Sequence, residues 1–279
     1  MATITVNNIQ LYYEIQGDGP PLLLIAGLGY DHWFWHKMVP GLAECFRVIV
    51  MDNRGVGRSD RPEGPYTAQL LAADVAALLA ELEIGKTAVL GHSMGGFVAQ
   101  ALALDYPHLV SYLVLAATNF GGPRHIPVTA EALAVLMDSS SDPVERVRRG
   151  VAVSCAPGFE QRQPDLLAEL VAYRQQNPLQ PGPYQAQLAI GLALMSETAA
   201  FESRLPQITA PTLILFGEHD KVVPPANADL LAQQIPHSQV VLLPDAGHFF
   251  PLETAVAAVT AVADFIRSHD SSVAPVRET

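Results

Sequence analysis

Residues 89–100 read VLGHSMGGFVAQ, an apolar run interrupted by Gly91-His92-Ser93-Met94-Gly95. A serine set between two glycines is weak evidence alone, since average residue usage produces the pattern by accident in roughly one chain in fifteen of this length. Its setting carries more weight. TAVLG (87–91) reads as a buried strand and GGFVAQALALDY (95–106) as a helix, which places Ser93 in the turn between them. Such a turn holds its residue in a strained conformation and lifts the side chain above the sheet. Glycines at 91, 95 and 96 let strand and helix approach closely. The start of the helix aims its unpaired N–H groups at whatever becomes bonded to Ser93.

Outward from this turn the pattern repeats. ATITVNN and IQLYYEIQGD alternate in polarity and meet at Asn7-Asn8, which predicts a hairpin. PLLLIAG (21–27) and FRVIVMD (46–52) are continuous apolar runs, as expected of strands buried on both faces, and Tyr66 to Leu82 has helical spacing. VSYLVLAATN (110–119), PTLILFG (211–217) and SQVVLLPD (238–245) read as strands, ANADLLAQQI (226–235) and Ala255 to Ser268 as helices. This βαβ rhythm predicts an α/β fold with a mostly parallel central sheet flanked by helices.

Between Gly121 and about Leu205 the rhythm breaks into TAEALAVLMD, PVERVRRGVAV, DLLAELVAYRQQN and PYQAQLAIGLALM, all helical in pattern. The expected organisation is a core in two parts, 1–120 and 206–268, an inserted all-helical cap at 121–205, and a frayed tail at 269–279. An insertion at that point lies over the C-terminal edge of the sheet, where open α/β sheets bind ligands.

A serine hydroxyl needs a base to take its proton, and the base needs an anion to orient it. On a strand-turn-helix scaffold the partners follow in the order serine, acid, histidine. FGEHDKVVPP supplies Asp220 after the strand 211–217, and PDAGHFFPLE supplies His248 after the strand 238–245, both at the sheet edge that carries Ser93. The turn after the strand 21–26, within IAGLGYDHWFW, offers the N–H of Leu28 as one donor of an oxyanion hole, with that of Met94 as the other.

Over residues 5–268 these features resemble the α/β-hydrolase fold family, in particular small bacterial carboxylesterases and 3-oxoadipate enol-lactonases. The motifs carrying the resemblance are Gly91-His92-Ser93-Met94-Gly95-Gly96, DNRGVGRS at 52–59, Asp220 in GEHDKVVPP and His248 in DAGHFFPLE. The resemblance implies a cofactor-free serine hydrolase with Ser93, Asp220 and His248 as catalytic triad. It would cleave carboxylic esters of small, largely apolar molecules through an acyl-enzyme on Ser93. A lactonase using the same triad is the alternative; carbon–carbon bond hydrolysis, perhydrolysis, amide hydrolysis or a slow-turnover ligand receptor are more distant ones. Many relatives carry His-Gly where this chain has Ala26-Gly27, so the side-chain support of the oxyanion loop must differ. The strand preceding the cap ends at Asn119, which cannot carry a charge, and this favours Asp220 as the acid.

Rival residues have plainer readings. His92 reads as structural, Glu218 as a loop carboxylate and Asp245 as a turn former. His32 and His36 either line the mouth of the pocket or face solvent. DNRGVGRS lacks the Gly-Lys-Ser/Thr ending of a phosphate loop, and its glycines and Arg54 read as support beneath the site. Trp33 and Trp35 are expected to wall an apolar pocket, faced by Leu188, Ile190, Leu192 and Met195 of LAIGLALM. Charged residues are sparse in these linings, which favours uncharged substrates.

Composition sets the outer bounds. Of 279 residues 49 % are apolar and 16 % charged, as in a globular chain, and a net charge of −12 opposes nucleic acid and anionic lipid. The two cysteines, Cys45 and Cys155, have no metal-ligand spacing, and no histidine–carboxylate grouping reads as a metal set. MATITVNNIQ lacks a basic start and long apolar run, and no stretch approaches the ~20 apolar residues of a membrane span. The expectation is a cytoplasmic protein acting on a small molecule, of unread oligomeric state.

Overall fold

The computed structural model describes residues 2–138 and 142–273. Asn7 and Asn8 both adopt positive φ, 45° and 62°, as the tight turn of a two-residue hairpin requires, and β1 (Ala2–Val6) pairs antiparallel with β2 (Ile9–Gln16). The remaining strands are β3 (Pro21–Ile25), β4 (Arg47–Met51), β5 (Thr87–His92), β6 (Val110–Ala116), β7 (Thr212–Gly217) and β8 (Ser238–Leu243). They form one eight-stranded sheet in the order β1-β2-β4-β3-β5-β6-β7-β8. β2 meets β4 antiparallel, and from β4 to β8 every pairing is parallel.

Alternation along each strand divides the core into two layers. Leu23 and Ile25 of β3 point into one layer, with α1 (Ala68–Glu81), α2 (Met94–Asp105) and α7 (Asn227–Gln234) against that face. Leu22 and Leu24 point into the other, packed with Phe34, Trp35 and α8 (Ala255–His269). Central strands buried on both faces account for the unbroken apolar runs of the sequence. α1 starts two residues later than its periodicity suggests, because Thr67 Oγ1 accepts the Leu70 N–H at 3.0 Å and caps it.

Between β6 and β7 the chain forms α3 (Ala130–Met137), α4 (Pro143–Ser154), α5 (Pro164–Gln176) and α6 (Pro181–Ala193), with no strand among the described residues of that stretch. The expected fraying from 269 is not seen at its start: His269 closes α8 and Val273, which bonds back to the Asp270 carbonyl, is buried. Residues 274–279 of that tail lie outside the described residues. Among the described residues no helix is long and apolar enough to cross a membrane.

Candidate active site

Ser93 occupies the strand-to-helix turn in the strained conformation the sequence implies, with φ 55° and ψ −119°. Its N–H donates to the Ala116 carbonyl at 2.9 Å, and its own carbonyl accepts Thr118 Oγ1–H at 2.8 Å, so the turn is tied to β6. A Cβ on Gly91 would lie 2.3 Å from the Gly95 carbonyl oxygen, and one on Gly95 would lie 2.2 Å from that of Ile25. Strand and helix therefore meet without room for side chains. No side chain caps α2, and of its first-turn N–H groups that of Gly96 donates to the Ser93 carbonyl at 2.9 Å.

Asp220 and His248 sit in the loops after β7 and β8, and both are buried. His248 Nδ1 lies 2.7 Å from Asp220 Oδ2, while Asp220 Oδ1 accepts the N–H groups of Val222 and Val223 at 2.8 and 2.7 Å. Nδ1–H donates to the carboxylate, which leaves Nε2 as the basic nitrogen. Ser93 and His248 line the same cavity. Glu218 is exposed, and Asp245 takes positive φ in its turn, as read from sequence.

Two neighbours fix the histidine loop. His92 Nε2–H donates to the His248 carbonyl at 2.8 Å; burial, with the adjacent His248, holds His92 well below the ordinary histidine range and neutral. His92 also lines the cavity. Glu253 accepts the Gly247 N–H and the Ala156 N–H, both at 2.8 Å, and so joins the histidine loop to the end of α4. Burial pushes its carboxyl above the ordinary range despite those bonds. An acid five residues after a loop histidine carried no readable signal.

The loop after β3 comes against Ser93: a Cβ on Gly27 would lie 3.0 Å from Ser93 Cβ and 3.3 Å from His92 Nδ1. Leu28 lines the cavity beside it. Below, Asn53 Nδ2–H donates to the Ala26 carbonyl at 3.1 Å, and Arg54 pairs through two nitrogens with buried Asp74 of α1 at 2.6 and 2.7 Å. The supporting role read for DNRGVGRS has this physical form.

The cavity measures about 390 Å³ and runs from Ser93 and His248 up to the four helices. Leu136, Val147, Val151, Leu170, Leu179 and Leu188 form its apolar wall. Of the expected pocket residues, Leu188 is on that wall; Trp33, Trp35, Ile190, Leu192 and Met195 are not. Trp35 is 0 % exposed, within the core layer beneath. Trp33 stacks on Tyr173 of α5 at 4.0 Å between ring centres and on His36 at 4.3 Å. Leu192, one helical turn beyond Leu188 on the same face of α6, does not reach the cavity and is 57 % exposed. Met195 follows the end of α6 and is 38 % exposed. The stretch meets the core through Ile190 and Leu194 and the cavity through Leu188, while Leu192 and Met195 are exposed.

The wall is also less free of charge than expected. Arg146 and Arg174 reach it beside Tyr30 and Tyr184. Neither His32 nor His36 is at the mouth: His32 bonds Asp52 at 2.7 Å and His36 meets Glu169 of α5 at 2.8 Å. Asp31, His32 and Asp52 bring three potential ligand atoms within 4.8 Å of one another. Asp52, after β4, already accepts from His32 and the Arg58 N–H, and Asp31, after β3, from the Trp33 N–H, so both carboxylates are engaged by neighbouring groups of the two loops.

Comparison with known proteins places this geometry among relatives. A family model described as alpha/beta hydrolase fold matches residues 20–255. The chain is 34 % identical over 272 residues, 93 % of its length and 98 % of the other's, to the BpoC protein of Mycobacterium tuberculosis, which bears the name of a non-heme bromoperoxidase. It is similar in structure to a thermophilic esterase from Thermogutta terrifontis, with TM-score 0.77 and 30 % identity, covering 95 % of this chain and 96 % of the esterase. It is similar also to the enol-lactonase from Burkholderia xenovorans LB400, with TM-score 0.79 and 27 % identity over 95 % of this chain and 99 % of the lactonase.

Proposed function

The chain belongs to the alpha/beta hydrolase fold family, and from that premise we propose that it is a serine hydrolase of carboxylic esters, with Ser93 as nucleophile, His248 as base and Asp220 as the acid that orients it. The observation that carries this reading is the pairing of His248 Nδ1 with Asp220 Oδ2 at 2.7 Å, on a cavity into which the strained Ser93 turn opens. The resemblance to an esterase and an enol-lactonase supports the same chemistry.

His248 Nε2 takes the proton of Ser93 Oγ as the oxygen attacks the ester carbonyl. The carbonyl oxygen becomes an oxyanion held by the N–H groups of Leu28 and Met94. Collapse of the tetrahedral species breaks the bond to the alcohol, which leaves with the proton from His248. Water, deprotonated by the same nitrogen, then attacks the acyl-serine and releases the acid. The helices α3–α6 act as a cap whose apolar wall receives the acyl or alcohol group of a small, largely apolar ester.

The test is initial rates on nitrophenyl esters from acetate to dodecanoate and on a set of lactones, with S93A beside the wild type. Ester turnover that peaks at short or medium chains and vanishes in S93A is the expected result. Preference for a lactone moves the reading to a lactonase. Turnover retained in S93A removes Ser93 from its role, and ligand-dependent stabilisation without turnover marks a receptor.

A further inference from the structure

Gln187 of α6 is fully buried, and no step above uses it. Its Nε2–H donates to the Arg54 carbonyl at 2.9 Å and its Oε1 accepts the Gly29 N–H at 3.0 Å. A backbone N–H only donates and a carbonyl only accepts, so the amide has a single admissible orientation. The Gly29 carbonyl in turn accepts Nη1–H of Arg174, on α5, at 3.2 Å. Both polar backbone groups of Gly29 are therefore held by side chains of the cap. Gly29 has φ +70°, and a Cβ there would lie 2.9 Å from Leu179 and 3.1 Å from the Tyr184 ring, so cap and loop touch without a gap.

The other end of this strut is rigid. Arg54 is anchored by its two bonds to Asp74, and Asn53 holds the Ala26 carbonyl at the base of the same loop. The stretch from Ala26 to Gly29 is thus fixed from below by the core and from above by the cap. This supplies the support that the absent His-Gly pair leaves open. A buried amide costs desolvation unless both of its ends are satisfied, and here both are, across two different loops.

We propose that Gln187, assisted by Arg174, is a positioning residue for the oxyanion hole: it couples the seating of the cap to the placement of the Leu28 N–H, one residue before Gly29. The proposal rests on the reading of Leu28 as an oxyanion donor. With α6 docked, the loop is held where that N–H meets the developing charge. With α6 displaced, the loop loses its upper anchor and the donor its aim. A displacement of about 1 Å at such a donor costs up to about 10²-fold in rate.

The experiment compares wild type, Q187L, Q187E and S93A in three measurements. These are kcat and KM on para-nitrophenyl butanoate, the inhibition constant of an alkyl boronic acid that forms a tetrahedral adduct on Ser93, and the dissociation constant of butanoate. In Q187L we expect kcat to fall by about 10- to 10²-fold. Boronate affinity falls by the same factor, while KM and butanoate binding stay within about twofold. Q187E keeps an acceptor for Gly29 but sets a second one against the Arg54 carbonyl, and shows a parallel fall of kcat and boronate affinity; should Q187L not fold, the parallel is read on Q187E. Unchanged kcat and boronate affinity, or a rise in KM alone, overturns the proposal. Turnover surviving in S93A overturns the site reading and the proposal with it, whereas an inactive S93A beside unaffected Gln187 variants overturns the proposal only.

Discussion

The carboxylate of Asp220 divides its two oxygens between backbone and ring: Oδ1 takes the N–H groups of Val222 and Val223, and Oδ2 faces His248 Nδ1 at 2.7 Å. In D220N the amide oxygen can keep the two backbone bonds while its NH₂ turns to the ring. Nδ1 must then accept, the proton moves to Nε2, and the ring can no longer take the proton of Ser93. We expect kcat on para-nitrophenyl butanoate to fall by roughly 10⁴ with little change in thermal midpoint. A D220N variant that keeps about a tenth of wild-type turnover would exclude Asp220 from this role.

Leu188 and Leu192 are four residues apart on α6, yet the first lines the cavity and the second is exposed. An indole at 188 fills space that an acyl chain would use; an indole at 192 stands in solvent. L188W should shift the ester chain-length optimum downward and cut kcat/KM on octanoate about tenfold, equivalent to about 1.4 kcal/mol. L192W should leave the whole chain-length profile unchanged. Equal profiles for the two variants would show that this face of α6 does not bound the substrate.

The fold and the geometry at Ser93 were legible because local rules set them. Apolar strands buried on both faces, the Asn7-Asn8 turn and glycines at the elbow each encode their structure within a few residues. The pocket wall was not legible, since Trp33, Trp35, Leu188, Leu192 and Met195 are all apolar and only tertiary packing decides which faces the cavity. Gln187 was opaque for a different reason. Its two partners lie 158 and 133 residues away in the chain, and nothing along α6, which also carries Gln185, gives a sign of either bond.

Arg54 and Asp74 form a buried ion pair, and Asp74 also accepts Asn7 Nδ2–H at 3.0 Å from the hairpin turn. Removing one charge leaves the other stranded away from water. D74N should therefore lower the unfolding free energy by about 3–5 kcal/mol, measured by urea denaturation. The half-exposed pair of Arg204 and Asp105 is the control: R204Q should cost about 0–1 kcal/mol. Similar costs for the two variants would mean that the Arg54 site relaxes to admit water.

His32 should make stability depend on pH above the ordinary histidine range. Burial pulls its pKa down, but the hydrogen bond to Asp52 and the charges of Asp52, Asp31 and Glu14 outweigh burial and leave it raised. Nδ1 lies 2.7 Å from Asp52 and Nε2 3.6 Å from Glu14. The folded state thus holds the proton more tightly than the unfolded chain. That stabilisation is fully present below the unfolded value of about 6.5 and is lost as pH rises through the folded value. The neighbouring Tyr12 hydroxyl, pushed up to about 12 by burial and its bond to Glu14, does not titrate in this window. Urea unfolding of wild type and H32Q between about pH 5.5 and 9 should give a stability difference that is largest at the acid end and shrinks above about 6.5. A difference constant across that range would mean that His32 stays neutral when folded and serves Asp52 only as a hydrogen-bond donor.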